Sequence, residues 1–336
     1  FFSSSPQASK VNGNDSKKNN ENNNSSCLYA LKSLRKAELI KKNQLSHTAT
    51  ERTILQTIFC PFLVHLQYAF QTKDKLYMVL DYVGGGELFF WMKKNKIFNE
   101  KRCRLYAAEI SLGINALHEQ NIVYRDLKPE NILVDREGHL KLTDFGLAKG
   151  GVYTSDGSKG TGTFCGTPEY LAPEILARRG HGTGVDWWAL GTLLYEMLVG
   201  IPPFFDKNVQ NMYKKIMHDQ LRFPKSETRK ISIESQDILK RLLERSPTKR
   251  LGANGIDKEF TNNIFWKNIK FNLVYEKVHY TPEFKPPSNE EDETDVTNFD
   301  ATFTKELASD SLITSNDTMT SAMEEASVFA NFTYSG

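Results

Sequence analysis

The spacing of apolar residues changes from strand-like to helix-like at the glycine run of residues 84–86. Before this run, the apolar pattern predicts strands over residues 27–34, 62–70 and 75–81 and a helix over residues 47–57. After it, apolar residues recur every three or four positions and predict helices over residues 99–118, 185–199, 209–218 and 233–244. The pattern therefore predicts an α+β chain in which a glycine-containing hinge joins a small β-rich lobe to a larger helical lobe. A cleft between two such lobes is a natural ligand site.

Charge is distributed unevenly along a chain whose total is nearly neutral. The 336 residues carry a formal net charge of +2, which excludes a uniformly basic nucleic-acid binder. Residues 288–327, however, contain eleven acidic residues and one basic residue, Lys305. The rest of the chain is therefore basic, and the acidic segment is a distinct tail. We expect no nucleic-acid partner.

The four cysteines, Cys27, Cys60, Cys103 and Cys165, follow no regular spacing and form no Cys-x-x-Cys pair. This argues against a disulfide framework and a zinc site, and fits reduced thiols in the cytosol or nucleus. The longest apolar run, residues 187–200, is too short to span a bilayer, and the sequence shows no secretory signal. We expect a cytoplasmic monomer with no transmembrane segment, and a nuclear location stays open.

Residues 124–131 read Tyr-Arg-Asp-Leu-Lys-Pro-Glu-Asn, and a hairpin-like stretch separates them from Asp144-Phe-Gly. Phosphoryl transfer needs a carboxylate that orients the acceptor, oxygen ligands for Mg²⁺ and cations on the phosphates. Asp126 fits the first role, Lys128 can neutralise the transferring group, and Asn131 and Asp144 can hold Mg²⁺. The two segments, followed in order by Ala-Pro-Glu at residues 172–174, are typical of protein kinases.

A closer resemblance rests on four further features: Phe-Cys-Gly-Thr-Pro-Glu-Tyr-Leu-Ala-Pro-Glu over residues 164–174, Tyr124 where most kinases have His, Val-Asp-Trp-Trp over residues 185–188, and the C-terminal residues 329–334. From Leu28 to Tyr334 the chain resembles the AGC group of serine/threonine kinases. It is most similar to the serum- and glucocorticoid-induced kinases, protein kinase B and the ribosomal S6 kinases. The resemblance implies a bilobal protein-kinase fold that uses ATP and Mg²⁺. It assigns residues 1–80 to the small lobe, 81–271 to the hinge and large lobe, and 272–336 to a regulatory tail.

The resemblance also implies a nucleotide site. Lys32 would hold the α- and β-phosphates, and Glu51 would be its partner on a helix. The implied adenine pocket contains Val11, Ala30, Leu80, Asp81 and Val83. Glu87 would contact the ribose and the peptide substrate, and Phe299 of the tail would fold over the pocket.

Glu87, Glu130 and Glu196 match acidic subsites that receive arginines upstream of the target residue. Because carboxylates pair with guanidinium in bidentate fashion, we expect protein substrates of the form Arg-x-Arg-x-x-Ser/Thr. Phe164, Pro168 and Leu171 would shape the site just beyond the target residue.

Regulation is implied at two threonines, with upstream activating kinases as partners. Thr163 matches the activation-loop phosphosite, whose phosphate would pair with Arg125 and His47. Thr333 matches the hydrophobic-motif phosphosite, where Phe329 and Phe332 would dock on the small lobe and hold Glu51 inward. Thr314 and Ser315 are candidates for a turn-motif phosphosite, but neither is followed by proline, so the assignment stays open. The resemblance also implies an apolar spine of Leu55, Leu66, Tyr124 and Phe145, and a buried Glu174–Arg250 pair.

The family's glycine-rich phosphate loop, Gly-x-Gly-x-x-Gly-x-Val, has no counterpart in this sequence. Ser9-Lys-Val11 is interpreted as the end of that loop, which makes the Asn- and Ser-rich residues 11–26 an insertion in the following turn. On this interpretation the first strand and the loop glycines lie upstream of Phe1 or have been replaced.

This departure leaves two hypotheses. The first is an active serine/threonine kinase, favoured because all six catalytic-site residues are in register: Lys32, Glu51, Asp126, Lys128, Asn131 and Asp144. The second is a catalytically impaired pseudokinase that acts as a scaffold. A small-molecule kinase is disfavoured by the peptide-site segment, residues 164–174.

Overall fold

The computed structural model describes residues 28–158, 160–224, 231–278, 280–287, 295–299, 301–305, 329 and 332–336. Val11, the turn-motif candidates and the 11–26 insertion lie outside these residues. The small lobe consists of three strands and two helices: β1 (Tyr29–Arg35), α1 (Lys36–Lys41), α2 (Leu45–Thr57), β2 (Leu66–Gln71) and β3 (Lys75–Asp81). The strands form an antiparallel sheet in the order β1-β3-β2. Helix α2 places Glu51, Ile54 and Leu55 on its buried face.

One strand prediction is wrong at its start. The apolar run predicted as a strand over residues 62–70 becomes β2 only at Leu66, because residues 62–64 leave the small-lobe sheet. The amide of Val64 donates to the carbonyl of Leu142 at 3.0 Å, and the amide of Leu142 donates to the carbonyl of Phe62 at 2.8 Å. Phe62, Leu63 and Val64 are buried, so this segment is apolar because it joins the lobes.

The large lobe is mostly helical and contains one hairpin. Its elements are α3 (Leu88–Asn95), α4 (Glu100–His118), β4 (Ile132–Val134), β5 (Leu140–Leu142), α5 (Pro173–Leu176), α6 (Gly184–Val199), α7 (Val209–His218), α8 (Ile233–Leu242), α9 (Lys258–Thr261) and α10 (Phe271–Tyr275). Asn99, Asn208 and Ser232 cap α4, α7 and α8 through their side-chain oxygens. The four helices and the β-rich small lobe expected from the pattern are present, so the α+β, two-lobed architecture is confirmed. Helices α1, α3, α5, α9 and α10 were not predicted.

The tail packs along the large lobe before it reaches the hinge. Phe284 packs edge-to-face on Trp91, with ring centroids 4.7 Å apart. The guanidinium of Arg102 lies between the rings of Phe98 and Phe284, at 3.7 and 4.0 Å from their centroids. Gly138, in the β4–β5 turn, has φ +91°, and a Cβ there would lie 1.9 Å from the carbonyl oxygen of Phe284. Only glycine admits this close backbone approach.

A short helix, α11 (Ala301–Thr304), follows in the tail. Within the described ranges, no helix is both long enough and apolar enough to cross a membrane.

Candidate active site

The loop between α4 and β4 brings the predicted catalytic groups together. Oδ2 of Asp126 accepts hydrogen bonds from Nζ of Lys128 at 2.9 Å and from Nδ2 of Asn131 at 2.8 Å. Oδ1 accepts a weaker bond from the hydroxyl of Thr167 at 3.3 Å. Pro129 begins a single 3₁₀ turn, Pro129–Asn131, which folds Asn131 back onto the loop. The carboxylate of Asp126 is therefore fixed in orientation.

Asp186, near the start of α6, holds this loop in place. Its carboxylate accepts from the backbone amides of Tyr124 and Arg125, both at 2.8 Å, and lies 2.7 Å from Nε2 of His118. Arg125 has φ +69°, a left-handed conformation that is costly for a residue with a Cβ. The buried carboxylate of Asp186 offsets that cost by satisfying two consecutive amides.

Asp144 faces the same cleft from the end of the β5 segment. Its φ is +54°, and its side chain is 53% exposed. The next residue, Phe145, is fully buried and packs against Tyr124, with ring centroids 5.6 Å apart. Tyr124, Phe145, Leu55 and Leu66 are all buried, as expected for the apolar spine. Burying Phe145 while turning Asp144 outward explains the unusual backbone at this position.

Lys32 and Glu51 form an ion pair across the small lobe. Nζ of Lys32 lies 2.7 Å from Oε1 of Glu51 and 3.6 Å from Oδ1 of Asp144. Burial alone would lower the pKa of Lys32, but the two carboxylates together raise it, so the ammonium stays charged. Burial raises the pKa of Glu51, and the positive charge of Lys32 partly opposes this. The pair connects β1, α2 and the Asp144 segment.

The residues predicted to hold Mg²⁺ fit that ion by the chemistry of their atoms. Asn131 donates through Nδ2 to the carbonyl and to the carboxylate of Asp126, at 2.9 and 2.8 Å. Its amide oxygen is thus the atom left to act as a ligand. A carboxylate oxygen from Asp144 and an amide oxygen from Asn131 are the hard donors that Mg²⁺ prefers.

The predicted adenine pocket lies where β1 and β3 meet the hinge. Ala30 pairs with Leu80 in the sheet register, and Leu80 and Val83 are buried. The carboxylate of Asp81 is directed elsewhere, because it accepts from Nε2 of Gln67 at 2.7 Å and pairs with Nζ of Lys141 at 3.2 Å. The side chain of Asp81 therefore braces the hinge between the lobes.

The tail returns to this hinge at residues 295–299. The phenol of Tyr82 donates to the carbonyl of Asp295 at 2.9 Å, and Phe299 lies against Tyr82 with ring centroids 6.3 Å apart. Asn298 is buried and donates to the carbonyl of Gly84 at 3.2 Å. Gly86 has φ +80°, and a Cβ there would lie 2.2 Å from the carbonyl oxygen of Asn298. The structure thus places Phe299 beside the hinge, and the glycine run makes room for the tail.

Acidic side chains converge beside the catalytic loop. The phenol of Tyr170 donates to Oε2 of Glu196 and fixes its position. Burial raises the pKa of Glu196; the bond from Tyr170 opposes this, and the negative charges of Glu130 and Glu169 add to the rise. Glu130 is exposed, as is Glu87, which pairs with Leu133 across the hinge through an isolated β-bridge. Glu130 and Glu196 are therefore close enough to interact, at the exit of the loop that carries Asp126.

The activation segment carries the remaining predicted residues. Thr163 and Phe164 are exposed, Pro168 is half-buried at the start of a 3₁₀ turn, and Leu171 is buried. Arg125 donates through Nε to the carbonyl of Leu147 at 2.7 Å. Its Nη1 atom is buried and has no hydrogen-bond partner in the described part of the chain.

The C-terminal residues dock on the small lobe. Tyr334 and Ala69 exchange two backbone hydrogen bonds, at 2.9 and 2.7 Å, which extends the sheet at β2. Phe332 is buried; its carbonyl accepts from Nε of Arg52 at 2.8 Å, and the Arg52 guanidinium lies 5.6 Å from its ring centroid. The carbonyl of Phe329 accepts from the side chain of Gln71 at 2.9 Å. Because Arg52 follows Glu51 on α2, this docking bears directly on the helix that carries the Lys32 partner.

Thr333, between these contacts, is exposed.

The sequence reasoning missed the anchoring residues of the site. The positioning roles of Asp186, Thr167 and Asn298 were not predicted. Asp186 had a signal, since a carboxylate in the first turn of a nearly all-apolar helix must be hydrogen-bonded if it is buried. Asn298 had none, because its partner at the hinge, the carbonyl of Gly84, lies 214 residues away along the chain.

Comparison with known proteins agrees with this geometry. The family model described as the protein kinase domain matches residues 15–260, and the model of the protein kinase C terminal domain matches residues 291–334. The chain is 50% identical over 310 residues to "Protein kinase 2" of Dictyostelium discoideum, an alignment that covers 91% of this chain and 61% of that protein.

Two other relatives are named as serine/threonine kinases. The chain is 46% identical over 307 residues to human Sgk2, covering 91% of this chain and 81% of the relative. It is 45% identical over 309 residues to YPK2/YKR2 of Saccharomyces cerevisiae, covering 92% and 43% respectively. The chain thus spans less than two thirds of the length of several relatives. The two matched domains, the two-lobed fold and these identities show that the chain belongs to the protein kinase family, within its AGC group of serine/threonine kinases.

Proposed function

We propose that this chain transfers the γ-phosphate of ATP to serine or threonine hydroxyls in proteins that carry arginines upstream of the target, and that phosphorylation of Thr163 and Thr333 regulates it. One observation carries the catalytic proposal: the Asp126 carboxylate is held by both Lys128 and Asn131. Lys32 and Asp144 face the same cleft, 3.6 Å apart. These are the parts that phosphoryl transfer requires.

The mechanism follows from the position of each side chain. A substrate hydroxyl placed at Asp126 would donate its hydrogen bond to the carboxylate, which orients the attacking oxygen and accepts the proton. Lys128 would offset negative charge on the transferring group, and Glu51 would hold Lys32 for the α- and β-phosphates. Asn131 and Asp144 would hold Mg²⁺, which neutralises charge on the phosphate oxygens when it is bound.

The alternative is a pseudokinase that acts as a scaffold, raised by the missing glycine pattern. The kinase and pseudokinase hypotheses predict different results for the transfer of ³²P from Mg-ATP to an Arg-x-Arg-x-x-Ser peptide by the chain carrying phosphate on Thr163. Measurable transfer supports the kinase hypothesis. Neither transfer nor Mg-ATP binding, with the protein folded, would establish the pseudokinase.

The preference for arginine is supported by the acidic side chains beside the catalytic loop. Glu196 is fixed by Tyr170, and Glu130 is exposed at the 3₁₀ turn that follows Lys128. A guanidinium entering between them would relieve the repulsion that their charges now exert on each other. Bidentate pairs of this kind are stronger than neutral hydrogen bonds and favour arginine over lysine.

Replacing these acids should lower specificity for arginine. We expect Glu130→Gln and Glu196→Gln each to lower kcat/KM for an Arg-x-Arg-x-x-Ser peptide by about 10- to 150-fold, because a hydrogen bond to a charged group contributes about 1.5–3 kcal/mol. Steady-state kinetics with this peptide and an alanine-substituted peptide measure the effect. Glu276→Gln, at an exposed acid on the large lobe, is the matched control. An equal loss on the alanine peptide would contradict the subsite roles.

Control through Thr163 is supported by the buried Nη1 of Arg125, which has no partner among the described residues. A buried guanidinium nitrogen without a partner is costly, and a phosphate close by would satisfy it. Thr163 is exposed and therefore accessible to an activating kinase.

Control through the C-terminal residues is supported by their contact with α2. We expect Phe332→Ala to lower kinase activity by about tenfold, since losing the buried ring removes about 2 kcal/mol of docking energy and the ring that lies against Arg52, next to Glu51. Peptide phosphorylation rates give the activity, and hydrogen exchange reports α2. Phe59→Ala, at a 75% exposed phenylalanine, is the control. Unchanged activity despite faster exchange in α2 would contradict a regulatory role.

A further inference from the structure

Glu109 has no role in the proposed catalysis, yet its carboxylate is completely buried in the middle of α4. A buried carboxylate is costly unless its oxygens are hydrogen-bonded. Burial raises the pKa of Glu109, and its hydrogen bonds with His139 and with the amide of Leu140 oppose that rise. The presence of this carboxylate in the interior therefore depends on its two partners.

Both of these partners belong to the β4–β5 hairpin. Oε1 of Glu109 lies 2.6 Å from Nδ1 of His139, and Oε2 accepts from the amide of Leu140 at 2.8 Å. His139 is buried and directly precedes Leu140, the first residue of β5. A movement of the hairpin relative to α4 would leave the carboxylate unpaired in the interior, which is costly. Glu109 therefore fixes the hairpin on α4 at this point.

The turn that carries His139 is itself closed by hydrogen bonds. The carboxylate of Asp135 accepts from the amide of His139 at 2.8 Å, and the amide of Asp135 donates to the carbonyl of His139 at 2.7 Å. The second carboxylate oxygen of Asp135 pairs with Nζ of Lys277 at 3.1 Å. Because His139 is held within the turn, fixing its imidazole against α4 also fixes the two strands that the turn joins.

The open end of the same hairpin carries the residues that would hold Mg²⁺. The strands β4 and β5 pair in a single register, in which Val134 lies opposite Leu140. Asn131 directly precedes β4, and Asp144 follows β5 by two residues. The amide of Thr143 donates to the carbonyl of Asn131 at 3.0 Å and closes this end of the hairpin. A shift at Leu140 is therefore passed along the paired strands to both metal-binding positions.

We propose that Glu109 is a positioning residue for the metal site, because it fixes on α4 the hairpin whose ends carry Asn131 and Asp144. The proposal rests on the proposed function, which assigns these two residues to Mg²⁺. Glu109 touches neither the metal nor the substrate in this account. Contacts outside the ligands orient them, and losing such a contact typically lowers the affinity of a metal site by about 10- to 100-fold.

The test measures metal affinity without catalysis. Mn²⁺, which is followed by electron paramagnetic resonance, is titrated into the protein in the presence of a non-hydrolysable ATP analogue. The variant is the double substitution Glu109→Leu with His139→Leu, which leaves the amide of Leu140 without its acceptor. We expect the Kd for Mn²⁺ to rise about tenfold. We also expect the amide of Leu140 to exchange its hydrogen faster.

The double substitution is used because Glu109→Leu alone would leave His139 buried without its partner. Replacing both members of a buried pair by apolar side chains is often neutral or stabilising, so the double variant should fold. Its unfolding transition is measured, and Mn²⁺ is titrated well below the temperature of that transition. A change in Kd under these conditions reports the positions of the ligands and not the loss of the fold.

Two further variants separate positioning from charge and from stability. Glu109→Gln can still accept from the amide of Leu140 and can donate to Nδ1 of a neutral His139. We expect its Kd for Mn²⁺ to stay within about twofold of the unsubstituted value. Met212→Ala, at a buried residue of α7, destabilises the large lobe by opening a cavity and should leave the Kd unchanged.

Each outcome decides for or against the positioning role. An unchanged Kd in the double variant overturns it, and so does an equal rise of the Kd in Met212→Ala. If the unsubstituted protein binds no Mn²⁺ together with the analogue, both the positioning role and the proposed use of Mg-ATP fail. If the double variant binds Mn²⁺ more weakly while the unsubstituted protein transfers no phosphate to peptide, the positioning role stands and the proposed function fails.

Discussion

Asp126→Asn should lower the rate of phosphoryl transfer by about 10²- to 10⁴-fold, the range that a positioned general base contributes. Asparagine keeps the size of the side chain and can still accept hydrogen bonds from Lys128 and Asn131. It cannot take the proton from a substrate hydroxyl. We expect kcat to carry the loss and KM for ATP to change little, because Lys32 and Asp144 are untouched. Transfer of ³²P to peptide measures kcat, and an ATP titration measures KM for ATP.

The control is Asp237→Asn on α8, where Asp237 accepts from the side chain of Asn263 at 2.7 Å. It changes an aspartate to asparagine without approaching the cleft and should leave kcat unchanged. If Asp126→Asn retained more than about a tenth of the rate, Asp126 would only position the substrate, and proton transfer would follow phosphoryl transfer.

The catalytic geometry was the part most accessible from sequence, because it is local. Asp126, Lys128 and Asn131 lie within six consecutive residues, and Pro129 sets the turn between them. Asp144 follows at the end of a hairpin whose strands pair in a single register. Short-range backbone geometry therefore brings these side chains together before any long-range packing is considered.

What the sequence did not reveal depends on contacts between distant segments. Helix α1 is short, and no side chain caps its N-terminus. It carries Lys36, which is buried because it donates to the side chain of Gln71 at 2.8 Å. The apolar run at 62–64 looked like a strand because burial between lobes and burial in a sheet require the same residues. Such cases need the partner segment to be known.

The path of the C-terminal tail also depends on contacts between distant segments, which the sequence does not reveal. Its acidic composition predicted a separate segment, and the resemblance predicted Phe299 near the nucleotide. Only the structure shows that Gly86 and Gly138 each allow the tail backbone an approach that a Cβ would block. From sequence, residues 84–86 predicted a hinge between the lobes, and the structure adds that Gly86 provides space for Asn298.

The second large effect is expected at the Glu174–Arg250 pair. Nη1 and Nη2 of Arg250 donate to the two carboxylate oxygens of Glu174 at 2.7 and 2.9 Å, and both side chains are buried. We expect Glu174→Gln to lower the free energy of unfolding by about 3–5 kcal/mol, because it leaves a buried guanidinium without its counter-charge. Chemical denaturation measures the change.

Glu259→Gln removes a carboxylate that pairs with Arg241 at 3.3 Å on the surface and should cost less than about 1 kcal/mol. Equal losses of unfolding free energy in Glu174→Gln and Glu259→Gln would show that burial does not make the Glu174–Arg250 pair more important for stability. The double variant Glu174→Gln with Arg250→Met should recover part of the loss, since an apolar side chain removes the unpaired charge.

The Glu174–Arg250 pair should also affect catalysis, because Arg250 contacts the start of α6. Nη1 of Arg250 also donates to the carbonyl of Gly184 at 2.8 Å, two residues before Asp186, whose carboxylate holds the backbone of Tyr124 and Arg125. Glu174→Gln should therefore lower kcat below the temperature at which the large lobe melts, whereas Glu259→Gln should not. A loss of activity that coincides with unfolding would limit the pair to stabilising the lobe. A loss that precedes unfolding would show that Glu174 positions the catalytic loop through Arg250, Gly184 and Asp186.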